Sequence, residues 1–507
     1  MKKIYLLLAI TAGFFITSCD MDKAPKGSLD DENAIENAYD LMKARNGVYE
    51  GMRSFATGAY LYLSDLQMDQ FNGLTINGNR NGSLANGVIL SGNNDIEAVW
   101  AACYSNIADA NYVLKEAEKL IEKGELDTED MLEVNRYIAE TKFARAWYYS
   151  YLFDHWCEAY TPANANAAAK GLPLVTVFNP TGDIASYPGR STMAETFELI
   201  DSDLREAYTG LKAYEEATSY TYAPMSAYVN SYTVLALQAR LALWRQDWTT
   251  AVSKAQEIID SKVYSLANAL VYSRMWTQDN SNELIFRPVS SSTELGISST
   301  GGAYISSNIQ QADYVPTFET LLAYDENDVR FDSFFGTRSL SANGILYGAY
   351  VFNKYPGNSS LNTGTTNSLL NMGKPFRLSE TYLILAEAAY EAGDAATANN
   401  ALNTIRKSRI PGYAEATYSG EVLRQEIRAE RTKELIGEGF RMSDLRRWGQ
   451  GFQRDGSYPA NPALEEIFVV AGLQVQYIAN DHRYVWPIPT TEMENNPQLK
   501  GQQNPGY

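Results

Sequence analysis

A mainly α-helical fold is predicted, with tetratricopeptide-like helix pairs forming a scaffold and a long loop-rich insertion that contains short strands. Three observations predict it. Apolar residues recur at helical spacing through several long segments. One alanine-patterned helix pair occurs twice, at a constant offset of 147 residues. Residues 263–375, between the two copies, are rich in Ser, Gly, Asn and Tyr and hold only short strand-like pieces.

The chain opens with Lys2 and Lys3, an apolar run from Ile4 to Ile16, and then Thr17-Ser18-Cys19. As a helix that run would reach about 20 Å at ~1.5 Å per residue, short of a hydrocarbon core of ~30 Å. It reads as a signal peptide, residues 1–18. Small residues before a cysteine at this place resemble the lipobox of bacterial lipoproteins, which implies that Cys19 becomes the lipidated N-terminus. Residues 19–32 are polar and without apolar period, so they read as a flexible tether, and residues 33–507 as a single helical domain.

Within that domain, residues 33–56 carry Ala34, Ala38, Leu41, Met42, Val48 and Tyr49 at helical spacing. From Asn72 to Asn94, Gly and Asn are dense and apolar residues few, which predicts an exposed loop. Helices are predicted over 96–123 and 131–156, joined by a short polar link, then over 192–211, and as a pair over 225–259. In the repeat, Ala239, Ala242, Asp247, Ala251, Ala255 and Ile258 fall on Ala386, Ala389, Asp394, Ala398, Leu402 and Ile405. Small residues on either side of a polar turn let two helices approach closely. Copies this far apart require a scaffold assembled across long insertions.

The chain has a formal charge of −19, which loss of Lys2 and Lys3 with the signal peptide takes to −21. Such a chain repels nucleic acid and disfavours highly anionic ligands unless a local arginine patch reverses the field. Two histidines, His155 and His482, and no Cys or His pair at ligand spacing argue against zinc, and no cofactor is expected. Cys103 and Cys157 fit either a disulfide or two buried thiols. The 35 tyrosines offer flat apolar faces with a polar edge, suited to sugar or peptide ligands as well as to packing.

Three C-terminal blocks are distinctive: Tyr382-Leu-Ile-Leu-Ala-Glu-Ala-Ala-Tyr-Glu-Ala-Gly-Asp followed by Ala401-Leu-Asn-Thr-Ile-Arg-Lys-Ser-Arg; Arg428-Ala-Glu-Arg-Thr-Lys-Glu-Leu-Ile-Gly-Glu-Gly-Phe-Arg-Met-Ser-Asp-Leu-Arg-Arg-Trp-Gly; and Trp486-Pro-Ile-Pro through Gln503-Asn-Pro-Gly-Tyr. With Phe143-Ala-Arg-Ala-Trp-Tyr-Tyr-Ser-Tyr-Leu, Arg190-Ser-Thr-Met-Ala-Glu-Thr-Phe, Asp203-Leu and Lys354-Tyr355, they resemble the SusD/RagB family over nearly the whole chain. His155-Trp-Cys-Glu departs from the Gly-Asp turn more usual there. The resemblance implies an outer-membrane, cell-surface lipoprotein that binds glycans, or peptides in RagB-like members, and passes them to a SusC-like TonB-dependent transporter.

Read as chemistry, the second block predicts a salt-bridged scaffold, with Arg431 paired to Glu434 and Arg441 to Asp444 on one helix face, and Gly437 and Gly439 breaking the helix. A hydrolytic pair such as Glu434 with Glu438 would need one carboxyl with a raised pKa, which surrounding arginines oppose. Asp325 to Asp332 lacks the glycine and terminal glutamate of an EF-hand, so acid–arginine pairing is expected there. The prolines 487, 489, 497 and 505 predict an extended, docked tail.

Candidate ligand-binding residues are Phe71, Asn72, Asn79 and Arg80 from the first loop and Trp276, Tyr304 and Tyr314 from the insertion, each an aromatic, amide or charged side chain in Gly/Asn-rich, exposed-looking chain. Trp100, on a helical period with Ile96 and Tyr104, reads as core. No catalytic residue is expected. The competing readings are a protein-only adaptor of the transporter and a surface glycan hydrolase; the second lacks any nucleophile elbow, metal motif or histidine triad.

Overall fold

The computed structural model describes residues 34–507 apart from 77, 79, 81, 455 and 470–473. Cys19 and Asn79 therefore lie outside the described residues. Helices dominate: α1 (Ala38–Phe55), α2 (Ala59–Leu66), α3 (Asn94–Lys123), α4 (Thr128–Trp156), α5 (Met193–Ala217), α6 (Ser231–Trp244), α7 (Trp248–Asp260), α8 (Leu378–Glu391), α9 (Ala395–Arg409), α10 (Gly420–Glu434) and α11 (Arg441–Arg447). Strands are short and pair only in twos: β1 (Phe71–Gly73) with β3 (Tyr314–Pro316), β2 (Leu284–Phe286) with β6 (Phe376–Arg377), β4 (Phe335–Ala342) with β5 (Ile345–Phe352), and β7 (Phe452–Arg454) with β8 (Val475–Tyr477), all antiparallel.

Local signals account for the helix starts. Asn93 and Asp127 accept backbone N–H groups at the heads of α3 and α4, and Thr192 with Glu195 closes a reciprocal capping box on α5. From α3 to α9, each helix packs on the next in chain order. Thus α7 meets α8 directly, although residues 261–377 intervene. The two repeat copies are α6–α7 and α8–α9. At both turns an aspartate, Asp247 or Asp394, caps the second helix and donates its backbone N–H to the carbonyl of Ala242 or Ala389, at 2.9 and 2.8 Å. The residue before it, Gln246 or Gly393, has positive φ (61° and 87°) in both copies. The paired alanines are fully buried, which is what allows helix axes to close up.

Widely separated sequence blocks meet here. Arg145 on α4 forms a fork with Asp203 on α5, at 2.8 and 2.7 Å. Both Trp156 at the end of α4 and Trp486 present carbonyls that accept from the Asn504 side chain, docking the tail, and Tyr507 donates to Val485. Helix α4 runs through His155 to Trp156, so the His-Trp-Cys-Glu departure costs the helix nothing. Trp100 is core, 3 % exposed, and Cys103 and Cys157 are buried free thiols.

The insertion does more than cover the scaffold: it builds an apolar core of its own, from Tyr272, Trp276, Tyr304, Tyr314, Phe334 and Phe352, which Phe71 and Leu74 join. The expectation that Asn72–Asn94 is an exposed loop is corrected for its first part. Residues 71–73 form β1 against β3, with Asn72 and Leu74 each 1 % exposed. Gly73 permits the contact, since a Cβ there would stand 2.8 Å from that of Ala85.

A buried ionic network joins insertion to scaffold. Glu434, at the end of α10, accepts from Arg409 (3.0 Å), Arg377 (2.8 Å) and Arg330 (3.2 Å). Glu283 takes Arg409, Glu430 takes Arg330 and Arg406, Asp328 takes Arg330, and Glu438 takes Arg377 and Lys354. The salt-bridged reading holds, including the Asp328–Arg330 pair, but its predicted partners do not. Arg431 reaches Asp444 at 2.7 Å and Arg441 reaches Asp69 at 2.6 Å, because the turn at Gly437 and Gly439 (φ 74° and 81°) folds α11 back across α10.

Candidate ligand-binding site

Five of the seven predicted ligand residues come together. The Phe71 and Tyr304 rings stand 4.8 Å apart, Tyr304 and Tyr314 6.5 Å, and the Tyr314 hydroxyl donates to the carbonyl of Arg80 at 3.1 Å. Asn72, next to Phe71, is held opposite Val315 by the β1–β3 pairing. The two stretches singled out in sequence thus form one cluster. The premise of exposure, however, is corrected for Phe71, Asn72, Trp276, Tyr304 and Tyr314, all 1 % exposed or less. Aromatic residues in Gly/Asn-rich chain found one another and made the insertion's core. Trp276 packs with Phe334 and Tyr355, and the Lys354 ammonium lies 4.4 Å from its ring centroid. Of the six that are described, Arg80 alone keeps an exposed side chain, 54 %, while pairing with Asp313 and donating to Gly302 at 2.9 Å.

A better-formed site lies where α1, α4 and α6 meet residues 371–375 and 438–440. Its wall is aromatic. Phe55 stands 4.7 Å from Tyr60, 4.8 Å from Trp147 and 5.1 Å from Tyr151, ring centre to ring centre, and Tyr151 stacks on His155 at 4.0 Å. Tyr60, Tyr151, Trp244, Met372 and Phe440 are half-buried at its rim. Glycine at 373 lets the insertion's last segment cross over Ala56, with which any Cβ would collide. The cleft is partly open, and water centres can occupy about 80 Å³ of it.

Charge in this cleft is already compensated. Asp154 pairs with Arg446 at 2.8 Å, Lys374 with Asp279 at 2.7 Å, and Arg240 with Glu380 at 2.7 Å. Burial alone would raise the Glu438 carboxyl, but Arg377 and Lys354 outweigh it and hold it below the usual range. Burial pushes His155 down to about 4, so the imidazole is neutral at pH 7. Three polar atoms of lining side chains, Tyr151 Oη, His155 Nε2 and Trp244 Nε1, are themselves buried and have no hydrogen-bond partner among the described residues. A neutral, hydroxyl-rich group with donors and acceptors matches that wall. Sequence reasoning passed over these residues because Trp147 to His155 and Arg240 to Trp244 lie on helical periods that read as core.

Known proteins supply an independent view. A family model described as "SusD family" matches residues 320–507, and one described as "Starch-binding associating with outer membrane" matches residues 21–242. No curated protein matches the chain. Among solved structures, a SusD superfamily protein from Bacteroides thetaiotaomicron superposes with TM-score 0.77 at 24 % identity, covering 93 % of this chain and 100 % of that one. A putative sugar binding protein from Bacteroides vulgatus gives 0.74 at 27 % identity, with coverage of 94 % and 99 %. A SusD-like carbohydrate binding protein from the same species gives 0.70 at 18 %, with 92 % and 98 %.

Proposed function

The chain belongs to the SusD/RagB family, and from that premise we propose that it captures neutral oligosaccharides at the cell surface and passes them, unbroken, to a SusC-like TonB-dependent transporter. The observation that carries the reading is the aromatic cleft whose charges are all paired and whose free polar atoms are Tyr151 Oη, His155 Nε2 and Trp244 Nε1. Aromatic faces at the rim take the apolar face of a sugar ring, and its hydroxyls meet the three buried atoms as the rim side chains turn aside. The chemistry of the wall supports binding over bond cleavage. Glu438 is held ionised and His155 neutral, so neither serves as a proton donor to a leaving group at pH 7. Cys19 carries the lipid that moors the protein to the outer membrane, with residues 19–32 as the tether.

The test uses the soluble chain from Asp20, screened by calorimetry against neutral oligosaccharides and short peptides, with product analysis on the same samples. Sugar binding without turnover is expected. Replacing Tyr151 by Phe removes one hydrogen bond of ~1 kcal/mol, a weakening of about fivefold. Binding of peptides alone transfers the reading to a RagB-like role. Product release by the chain alone overturns capture in favour of hydrolysis. Arg80, exposed beside the first cluster, belongs to the same screen as a second contact for longer ligands.

A further inference from the structure

Beside α10 lies an open groove of about 750 Å³, lined by α9, α10, α11 and the insertion's residues 323–327. In a chain of formal charge −19, this groove collects four cations, Arg406, Arg428, Lys433 and Arg441, against the acids Asp325, Glu326 and Glu426. Three of the cations are spoken for. Arg406 pairs with Glu426 and Glu430, Lys433 with Glu430 at 3.4 Å, and Arg441 with Asp69. Arg428 is different. It takes part in no ion pair among the described residues, its Nε is buried without a hydrogen-bond partner, and its guanidinium lies 5.0 Å from the Trp448 ring centroid.

The aromatic side chains beside it are held in place. Trp448 donates from Nε1 to Glu387 at 2.8 Å, and Tyr413 donates to Asn403 at 2.9 Å. The Tyr418 hydroxyl accepts from Arg406 at 3.3 Å. With hydroxyls and indole nitrogen tied back, what these half-buried rings offer a ligand is their apolar surface.

We propose that this groove is a second binding site, for an acidic sugar whose ring carboxylate pairs with Arg428 while its apolar face lies on Tyr413, Tyr418 or Trp448. A guanidinium matches a carboxylate in a planar, two-pronged geometry, and Arg428, which feels Glu387 and Glu391 only through space, has that geometry unfilled. The choice of a sugar rests on the binding role given above; the choice of an anion rests on the groove alone.

The experiment is calorimetric titration of the soluble chain with trigalacturonate, a neutral trisaccharide of the same linkage and triglutamate. Trigalacturonate binds, weakens about tenfold or more in Arg428→Gln, weakens in Tyr418→Ala, and weakens as salt rises. Tyr151→Phe, in the other cleft, leaves this binding unchanged. Equal affinity in Arg428→Gln, or no binding of trigalacturonate, overturns the proposal. Triglutamate bound in place of trigalacturonate overturns the sugar assignment. Failure of every neutral sugar in the first screen, with trigalacturonate still bound, removes the earlier reading and leaves this one standing.

Discussion

Replacing Glu434 by Gln keeps the shape of the side chain and removes one charge from the centre of the ionic network. Around it, Glu283, Asp328, Glu430, Glu434 and Glu438 face Arg330, Lys354, Arg377, Arg406 and Arg409, so the two signs balance among these residues. Burial would raise the Glu434 carboxyl; Arg409, Arg377 and Arg330 together hold it well below the ordinary range. The variant therefore leaves one buried positive charge uncompensated, at ~3–5 kcal/mol, the usual cost of breaking a buried pair. For a chain of this size, with an unfolding entropy of ~2.1 cal/mol/K per residue, Tm falls by about 3–5 °C if it melts as one unit. Scanning calorimetry at pH 7 measures this. Arg409→Met added to Glu434→Gln restores part of the loss, because it removes the surplus charge. As a control, Lys43→Gln breaks an exposed pair with Asp40 and shifts Tm by less than 1 °C, consistent with surface pairs worth ~0–1 kcal/mol. A Glu434→Gln protein that melts within 1 °C of the parent refutes the idea that this carboxylate holds the network together.

Trp276→Ala, buried among Phe334 and Tyr355, is expected to cost ~3–5 kcal/mol and to appear as a lowered Tm rather than as a selective loss of ligand. Arg80→Gln strips the ion pair from Asp313, whose side chain is 1 % exposed, so it is expected to lower Tm as well as to weaken ligand binding, read by scanning calorimetry and the same titrations. Asp65 has its carboxyl pushed up to about 7 by burial, against the opposing N–H groups of Gly439 and Arg441. Its folded pKa exceeds the unfolded one, so what it contributes to stability is complete below pH ~4 and is lost as pH rises through 7. Asp65→Asn is thus expected to gain in Tm relative to the parent between pH 4 and pH 8; a difference that stays flat, or runs the other way, contradicts the assignment.

Helices were legible because their signals are local: the caps at Asn93, Asp127 and Thr192 and the paired alanine turns at Asp247 and Asp394 are written within a few residues of where they act. The partners of charged residues were not. Arg431 and Glu434 lie three apart, yet each found a closer match elsewhere, since the positive φ at Gly437 and Gly439 sets a fold-back that spacing does not encode. For the ligand residues, composition located the right neighbourhood but misjudged depth. Loop-like sequence around Phe71 and Tyr304 conceals enough aromatic surface to close on itself. The cleft around Tyr151 was hidden in the opposite way, because its residues share helical periods with true core and only the missing hydrogen bonds set them apart.

The insertion leaves the scaffold after α7 and rejoins it at α8, yet those helices touch, so the connection itself does not set their register. That arrangement makes the segment a cassette, one that could be exchanged without rebuilding the helices. Its exchange carries a condition. Glu283, Asp328, Arg330 and Lys354 all lie inside the cassette and engage Arg409, Glu430, Glu434 and Glu438 outside it. A graft from a relative must bring charges able to meet those four, or the recipient is left with the same stranded charge that Glu434→Gln creates by design. Change is thus free in the loops between the anchors and constrained at the anchors themselves.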